Sequence, residues 1–268
     1  MKKYKICKIL LVILAIFLCV AFYELLGICV AYKKQPEVSN TTKKETKNGS
    51  WNECSENTER AVIIEKNPEA LLQRVRLIKN AKKEIILSTF AFQSDESGKL
   101  ILGALHDAAD RGVHIRLLVD GMESWIDMEG NPYFYGLSSH ENVEIKLYNK
   151  ANPLKPWKMM GRMHDKYLIA DGKTYILGGR NTYNYFLGDF PGHKNYDRDV
   201  LVVCDEPEKE NSVNQLLEYF ETIWEQEDSG LFHDNKKLAN RKSVKNAVLE
   251  LQNGYQKYFE ENKERICD

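Results

Sequence analysis

Three side chains in one short stretch, His164, Lys166 and Asn181, are of the types that handle phosphate. A neutral imidazole attacks phosphorus or shuttles a proton, an ammonium supplies a fixed positive charge, and a carboxamide supplies N–H donors. His164 and Lys166 are two apart, and residues two apart on a strand project from the same face. Arg162, two residues earlier, joins that face if the strand begins early and then adds a second cation for an anion. Its plainer reading is a surface ion pair. Gly178-Gly179 lets the backbone bend and, at Gly179, lie close to a ligand. Asn181 follows and can turn its amide toward the same space.

A hairpin has to position this set. His164 to Ala170 is β-prone, Asp171-Gly172 is a tight-turn dipeptide, and Thr174 to Leu177 is a second β-prone run. Upstream, Val62-Ile63-Ile64 reads as a strand. A helix capped by Asn67, with Pro68 first, carries Leu71, Leu72, Val75 and Ile78 on one face. Ile85 to Phe92 is apolar enough for a central strand. A helix from about Ser97 ends at Arg111-Gly112, where glycine suits a left-handed cap. Val113 to Val119 is the next strand, and Asp120-Gly121 turns the chain. Strand, helix and strand at this spacing imply a parallel crossover. Trp125 to Met163 is less regular, with a strand at Val143 to Leu147. Its aromatic residues read either as a core patch or, around Asn152 to Met160, as an apolar mouth suited to acyl chains. Val200 to Val203 is a buried-type strand, and Ser212 caps a helix carrying Leu216, Phe220 and Trp224. A last helix runs from about Arg241 to Phe259.

The amino terminus is of a different kind. Ile9 to Tyr32 is apolar apart from Glu24 and matches the roughly 20 residues needed to cross a bilayer. It is long for a signal-peptide core and has no clean small-x-small cleavage site, so it reads as an uncleaved anchor. Basic residues flank it on both sides, which leaves its orientation open. The expected organisation is a transmembrane anchor at 1–34, a polar tether at 35–60 and a folded domain at 61–268. A net charge of −1 gives no global case for nucleic acid. None of the six cysteines has metal-ligand or disulfide spacing. No metal or other cofactor is expected.

The pattern His164-x-Lys166-x4-Asp171-x6-Gly178-Gly179-x-Asn181 resembles the signature of the phospholipase D superfamily. Ala81 to Ile85, Ala108 to Val113 and Asp120 resemble that family's amino-terminal half, so the likeness runs from about Ala61 to Asp205. The tryptophan-containing loop, Gly178-Gly179-Arg180-Asn181 and Asp197-Arg198-Asp199 are most similar to the first half of long bacterial enzymes related to cardiolipin synthase. The resemblance implies an α/β fold, a mixed β-sheet flanked by helices in an α-β-α sandwich, preceded here by one transmembrane helix. It implies that His164 forms a phosphohistidine while Lys166 and Asn181 hold phosphate oxygens. It also implies that an acidic residue before the Val200 strand holds the imidazole. Asp199 matches that position best, with Asp197 as the alternative. Asp171 completes the motif set, although its own position suits the hairpin turn.

Family chemistry uses two such motifs, and this sequence holds one. His233-Asp234-Asn235-Lys236 does not repeat the spacing. Two copies pairing as a homodimer, or a partner half carrying a second motif, would complete a site. The leading expectation is a single-pass cell-membrane phosphodiesterase or phosphatidyltransferase acting on phospholipid. The alternatives are a homodimeric nuclease, with Lys155, Lys158, Arg162, Arg180, Lys194 and Arg198 around the site, or a half that is inactive alone.

Overall fold

Eight strands form one mixed sheet in the order β1-β7-β6-β5-β2-β3-β4-β8. They are β1 (Glu59–Ile64), β2 (Glu84–Thr89), β3 (His114–Asp120), β4 (Val143–Tyr148), β5 (Lys166–Ala170), β6 (Thr174–Gly178), β7 (Asp199–Cys204) and β8 (Ser229–Leu231). The description comes from a computed structural model and covers residues 2–33, 40, 59–206, 211–233 and 236–267. The tether expected at 35–60 falls almost wholly outside the described residues. The chain divides into two units, Glu56–Lys150 with Met163–Asp268, and Met1–Ser55 with Ala151–Arg162.

The larger unit holds the sheet. β2, β3 and β4 run parallel, joined through helices, and every other pairing is antiparallel. The helices in chain order are α1 (Lys2–Lys33, in the other unit), α2 (Asn67–Asn80), α3 (Glu96–Asp110), α4 (Gly121–Asp127), α5 (Pro132–Ser138), α6 (Ser212–Trp224), α7 (Lys236–Ala239), α8 (Lys242–Glu261) and α9 (Lys263–Cys267). Alternation along β5 sorts the two cores. Leu168 and Ala170 join Leu71, Val75, Leu102 and Leu105 under α2 and α3. Tyr167 and Ile169 join Phe220 and Trp224 under α6. The sheet is therefore covered on both faces, the α-β-α sandwich expected.

Local chemistry moves several boundaries. Asn67 is the first residue of α2 rather than its cap; Lys66 is the N-cap and makes no side-chain cap bond. The Asn67 amide instead donates to the Asn195 carbonyl (2.9 Å), and its Oδ1 accepts from Arg180 Nε (3.2 Å). Asn211, not Ser212, caps α6 by accepting from Asn214 N. Gly112 ends α3 with φ +88°, the left-handed conformation expected of it. Asp120 is more than a turn residue. It caps α4 through Oδ1, and its Oδ2 accepts the Met163 amide (3.1 Å). In the irregular region Met128, Phe134 and Leu137 are core, while Trp125 is 65% exposed.

The smaller unit pairs α1 with the 151–162 loop, which makes one 3₁₀ turn at Pro156–Lys158. Tyr23 donates to the Leu154 carbonyl at 2.9 Å. Lys5 to Ala31 of α1 is 27 residues, its most apolar stretch has a mean hydropathy of 2.9, and it is long and apolar enough to cross a membrane.

Candidate active site

Strand direction collects the motif at one end of the sheet. Thr89 at the end of β2 pairs with Lys166 at the start of β5, and Gly178 at the end of β6 pairs with Asp199 at the start of β7. After β6 the chain is tied along the segment following β2. Thr182 N donates to the Ala91 carbonyl (3.0 Å) and Gln93 N to the Thr182 carbonyl (3.2 Å). This sets Asn181 Oδ1 to accept from Ala91 N at 3.2 Å. The Asn181 Nδ2 makes no hydrogen bond to the described residues and remains a donor for a ligand.

His164 lies just outside the strand, which begins at Lys166. Strand alternation therefore does not place Arg162, His164 and Lys166 on one face, and Arg162 falls in the other unit. Two contacts join His164 and Lys166 instead. The Lys166 ammonium donates to the His164 carbonyl at 2.7 Å. Both side chains also pack on Phe90, the imidazole edge-on with ring centroids 4.7 Å apart and the ammonium 5.3 Å from the ring centroid. The imidazole is exposed, and no hydrogen bond to its ring occurs among the described residues. Lys166 is only 6% exposed. Burial pulls its pKa below the ordinary lysine value, and the charges of Asp165 and Asp197 offset part of that. Asp165 points elsewhere, accepting from Tyr219 at 2.9 Å, and its pKa is raised by burial.

The structure separates the two aspartates before β7. Asp199 is not brought to His164. Its Oδ2 takes Arg74 at 2.9 Å and Arg180 at 3.2 Å, with all three residues at most 4% exposed. Its Oδ1 is buried without a partner. Asp197, like Asp165, carries a charge that reaches Lys166. The glycine pair makes room for these carboxylates. A Cβ on Gly178 would stand 2.0 Å from Asp199 Oδ1, and one on Gly179 2.0 Å from Asp197 Oδ2. Gly179 thus leaves room for Asp197.

Asp171 lies at the far end of β5, about 20 Å of extended chain from His164. It has φ +54° and accepts from the amides of Lys82, Lys83 and Glu84 at 2.7–3.1 Å. That network fixes the hairpin to the start of β2 and does not touch the site. Of the cations suggested for a nucleic-acid groove, Arg180 is buried, Lys194 donates to the Asn184 carbonyl, and Arg198 pairs with Glu65.

Sequence reasoning missed Phe90 as the shared wall and Asp120 as the clamp on the residue before His164. Phe90 was legible only as part of an apolar run. For Asp120 the signal was a carboxylate ending a strand at the same sheet edge as the motif.

Residues 74–224 match the family described as "Cardiolipin synthase, PLD-like domain", more than half of the chain. The chain belongs to this family. Among curated relatives, an uncharacterized protein of Helicobacter pylori J99 is 31% identical over 206 residues, covering 71% of this chain and 38% of its own. Cardiolipin synthase C of Escherichia coli K12 is 29% identical over 171 residues, 59% of this chain and 34% of the enzyme. The chain thus spans about a third of the length of these relatives. Among solved structures, phosphatidylserine synthase of Haemophilus influenzae Rd KW20 superposes with a TM-score of 0.52 at 18% identity, over 75% of this chain and 44% of that one. The phospholipase D-like match contains His164, Lys166, Asn181 and both aspartates before β7.

Proposed function

We propose that this phospholipase D-family chain is a single-pass, membrane-anchored phosphodiesterase or phosphatidyltransferase that acts on phospholipid through a phosphohistidine. The observation carrying this reading is the sheet end itself. An exposed imidazole and a buried ammonium at the start of β5, and an unused carboxamide donor beyond β6, lie at that end.

In the first step an imidazole nitrogen of His164 forms a bond to phosphorus, and the bond to the leaving alcohol oxygen breaks. Lys166 and Asn181 Nδ2 hold the non-bridging oxygens as their charge grows, the transition-state stabilisation a fixed cation and amide provide. The leaving oxygen takes a proton from a second imidazole. That group then accepts the proton of the incoming water or alcohol as its oxygen attacks phosphorus and releases His164. One motif supplies one imidazole, so a second copy of this chain or a partner half supplies the other. In this reading Asp197, whose charge reaches Lys166, tunes the site, and Asp199 serves the buried arginine cluster. The engagement of Arg180, Lys194 and Arg198 within the protein weakens the nuclease alternative. The name of the Escherichia coli relative, cardiolipin synthase C, supports a phospholipid substrate.

The test is product analysis by mass spectrometry, with the full chain and His164→Ala in phosphatidylglycerol vesicles. Cardiolipin or phosphatidic acid made by the wild type alone is expected. A folded wild type giving no lipid product, yet cleaving DNA, would replace the lipid reading with the nuclease.

A further inference from the structure

The loop at Ala151–Arg162 carries large apolar side chains that are partly or largely exposed. Leu154 is 78% exposed, Met160 51% and Trp157 46%. Within its unit the loop rests against one face of α1. Tyr23 donates to the Leu154 carbonyl, and Gly27, one turn further along, meets Pro156 so closely that a Cβ there would stand 2.5 Å from the ring. These contacts fall well inside the apolar stretch, which ends at Ala31. At 1.5 Å per residue, Gly27 lies about 6 Å and Tyr23 about 12 Å from that end.

We infer that residues 152–160 form a second membrane contact, embedded beside the last turns of α1 at the boundary between headgroups and acyl chains. This rests on the anchored reading of α1. Most of the N–H groups from Leu154 to Met159 are satisfied within the loop, which lowers the cost of placing it where an unsatisfied N–H or carbonyl is costly. Leu154 and Lys155 donate to Asn152, Lys158 to Lys155, Met159 to Pro156 and Gly161 to Lys158. Pro153 and Pro156 have no N–H, and Tyr23 satisfies the Leu154 carbonyl. The side chains suit that boundary too. Tryptophan favours the interface, and Lys155 can extend to an anionic headgroup while its stem stays in the apolar layer. Three residues, Gly161, Arg162 and Met163, separate Met160 from His164, a reach of at most about 14 Å. The segment leading to the imidazole therefore starts in lipid.

The experiment is fluorescence quenching of the full chain in phosphatidylglycerol–phosphatidylcholine vesicles whose acyl chains are brominated near the headgroup or near the bilayer centre. The difference between wild type and Trp157→Phe isolates the Trp157 signal. Phe17→Trp in the Trp157→Phe background reports the middle of α1. The expected result is quenching of Trp157 at least twofold stronger by the shallow bromines, with Phe17→Trp quenched best by the deep ones. Quenching of Phe17→Trp without Trp157 would overturn the loop contact and leave the anchor standing. Quenching of neither would overturn both. Catalytic turnover does not enter the readout, so the lipid chemistry stands or falls separately.

Discussion

The two ends of β5 carry residues from one sequence motif, yet they are built on opposite terms. At the Asp171 end, one carboxylate accepts three backbone amides and its hydrogen bonding is complete. At the other end, His164 has no hydrogen bond to its ring among the described residues, and Asn181 holds back its amide nitrogen. Lys166 is buried, and among the described residues its ammonium has a backbone carbonyl as its hydrogen-bond partner. A satisfied polar group holds a fold together, and an unsatisfied one at a sheet end is available to a substrate. The Asp199 cluster lies between the two kinds: its Oδ2 is paired with Arg74 and Arg180, while its Oδ1 is buried without a partner among the described residues. It is a buried ion triad whose removal should be felt as instability.

Breaking this contrast has graded consequences. His164→Ala should lower turnover at least about a thousandfold with an unchanged Tm, since the imidazole is exposed; turnover and thermal unfolding are measured together. Arg180→Met should do the reverse. It leaves Asp199 with one of its two guanidinium partners, and breaking such a buried cluster costs about 3–5 kcal/mol in urea unfolding. A fully stable but inactive Arg180→Met would move the triad into the catalytic machinery.

Lys166→Ala should reduce turnover about a hundredfold or more. Its pH signature sharpens the point. Because burial lowers its pKa, Lys166 loses its proton at a lower pH than an ordinary lysine. The cation, and with it kcat/KM, should therefore decline on the alkaline side before the usual lysine range. Lys166→Arg, if active, should extend that limb upward. Asp171→Ala should be mildest, costing about 1–3 kcal/mol of stability while activity per folded molecule persists. A selective loss of activity there would erase the distinction between the two ends.

Much of this was legible in the sequence because it is local. The β5–β6 hairpin, the parallel crossover through α3 and the Gly112 cap each follow from a few consecutive residues. What was hidden depends on distant partners. Asp199 meets Arg74, 125 positions away, so its position before a strand pointed to His164 while its actual partners are guanidiniums. Asp171 meets amides 87–89 positions away. His164 was expected inside a strand, but the Asp120 clamp on Met163 and the bond from Lys166 hold it in irregular chain. Gly178 and Gly179 read as room for a ligand, and in the structure they leave room for two carboxylates.

The central claim is that His164 carries the phosphorus. The most direct measurement is mass spectrometry of the chain quenched in alkali during turnover of phosphatidylglycerol vesicles, conditions under which a phosphohistidine survives. A phosphatidyl adduct on His164, absent from His164→Ala, is the predicted result. Undiminished lipid turnover by His164→Ala, or an adduct on another residue, would contradict it.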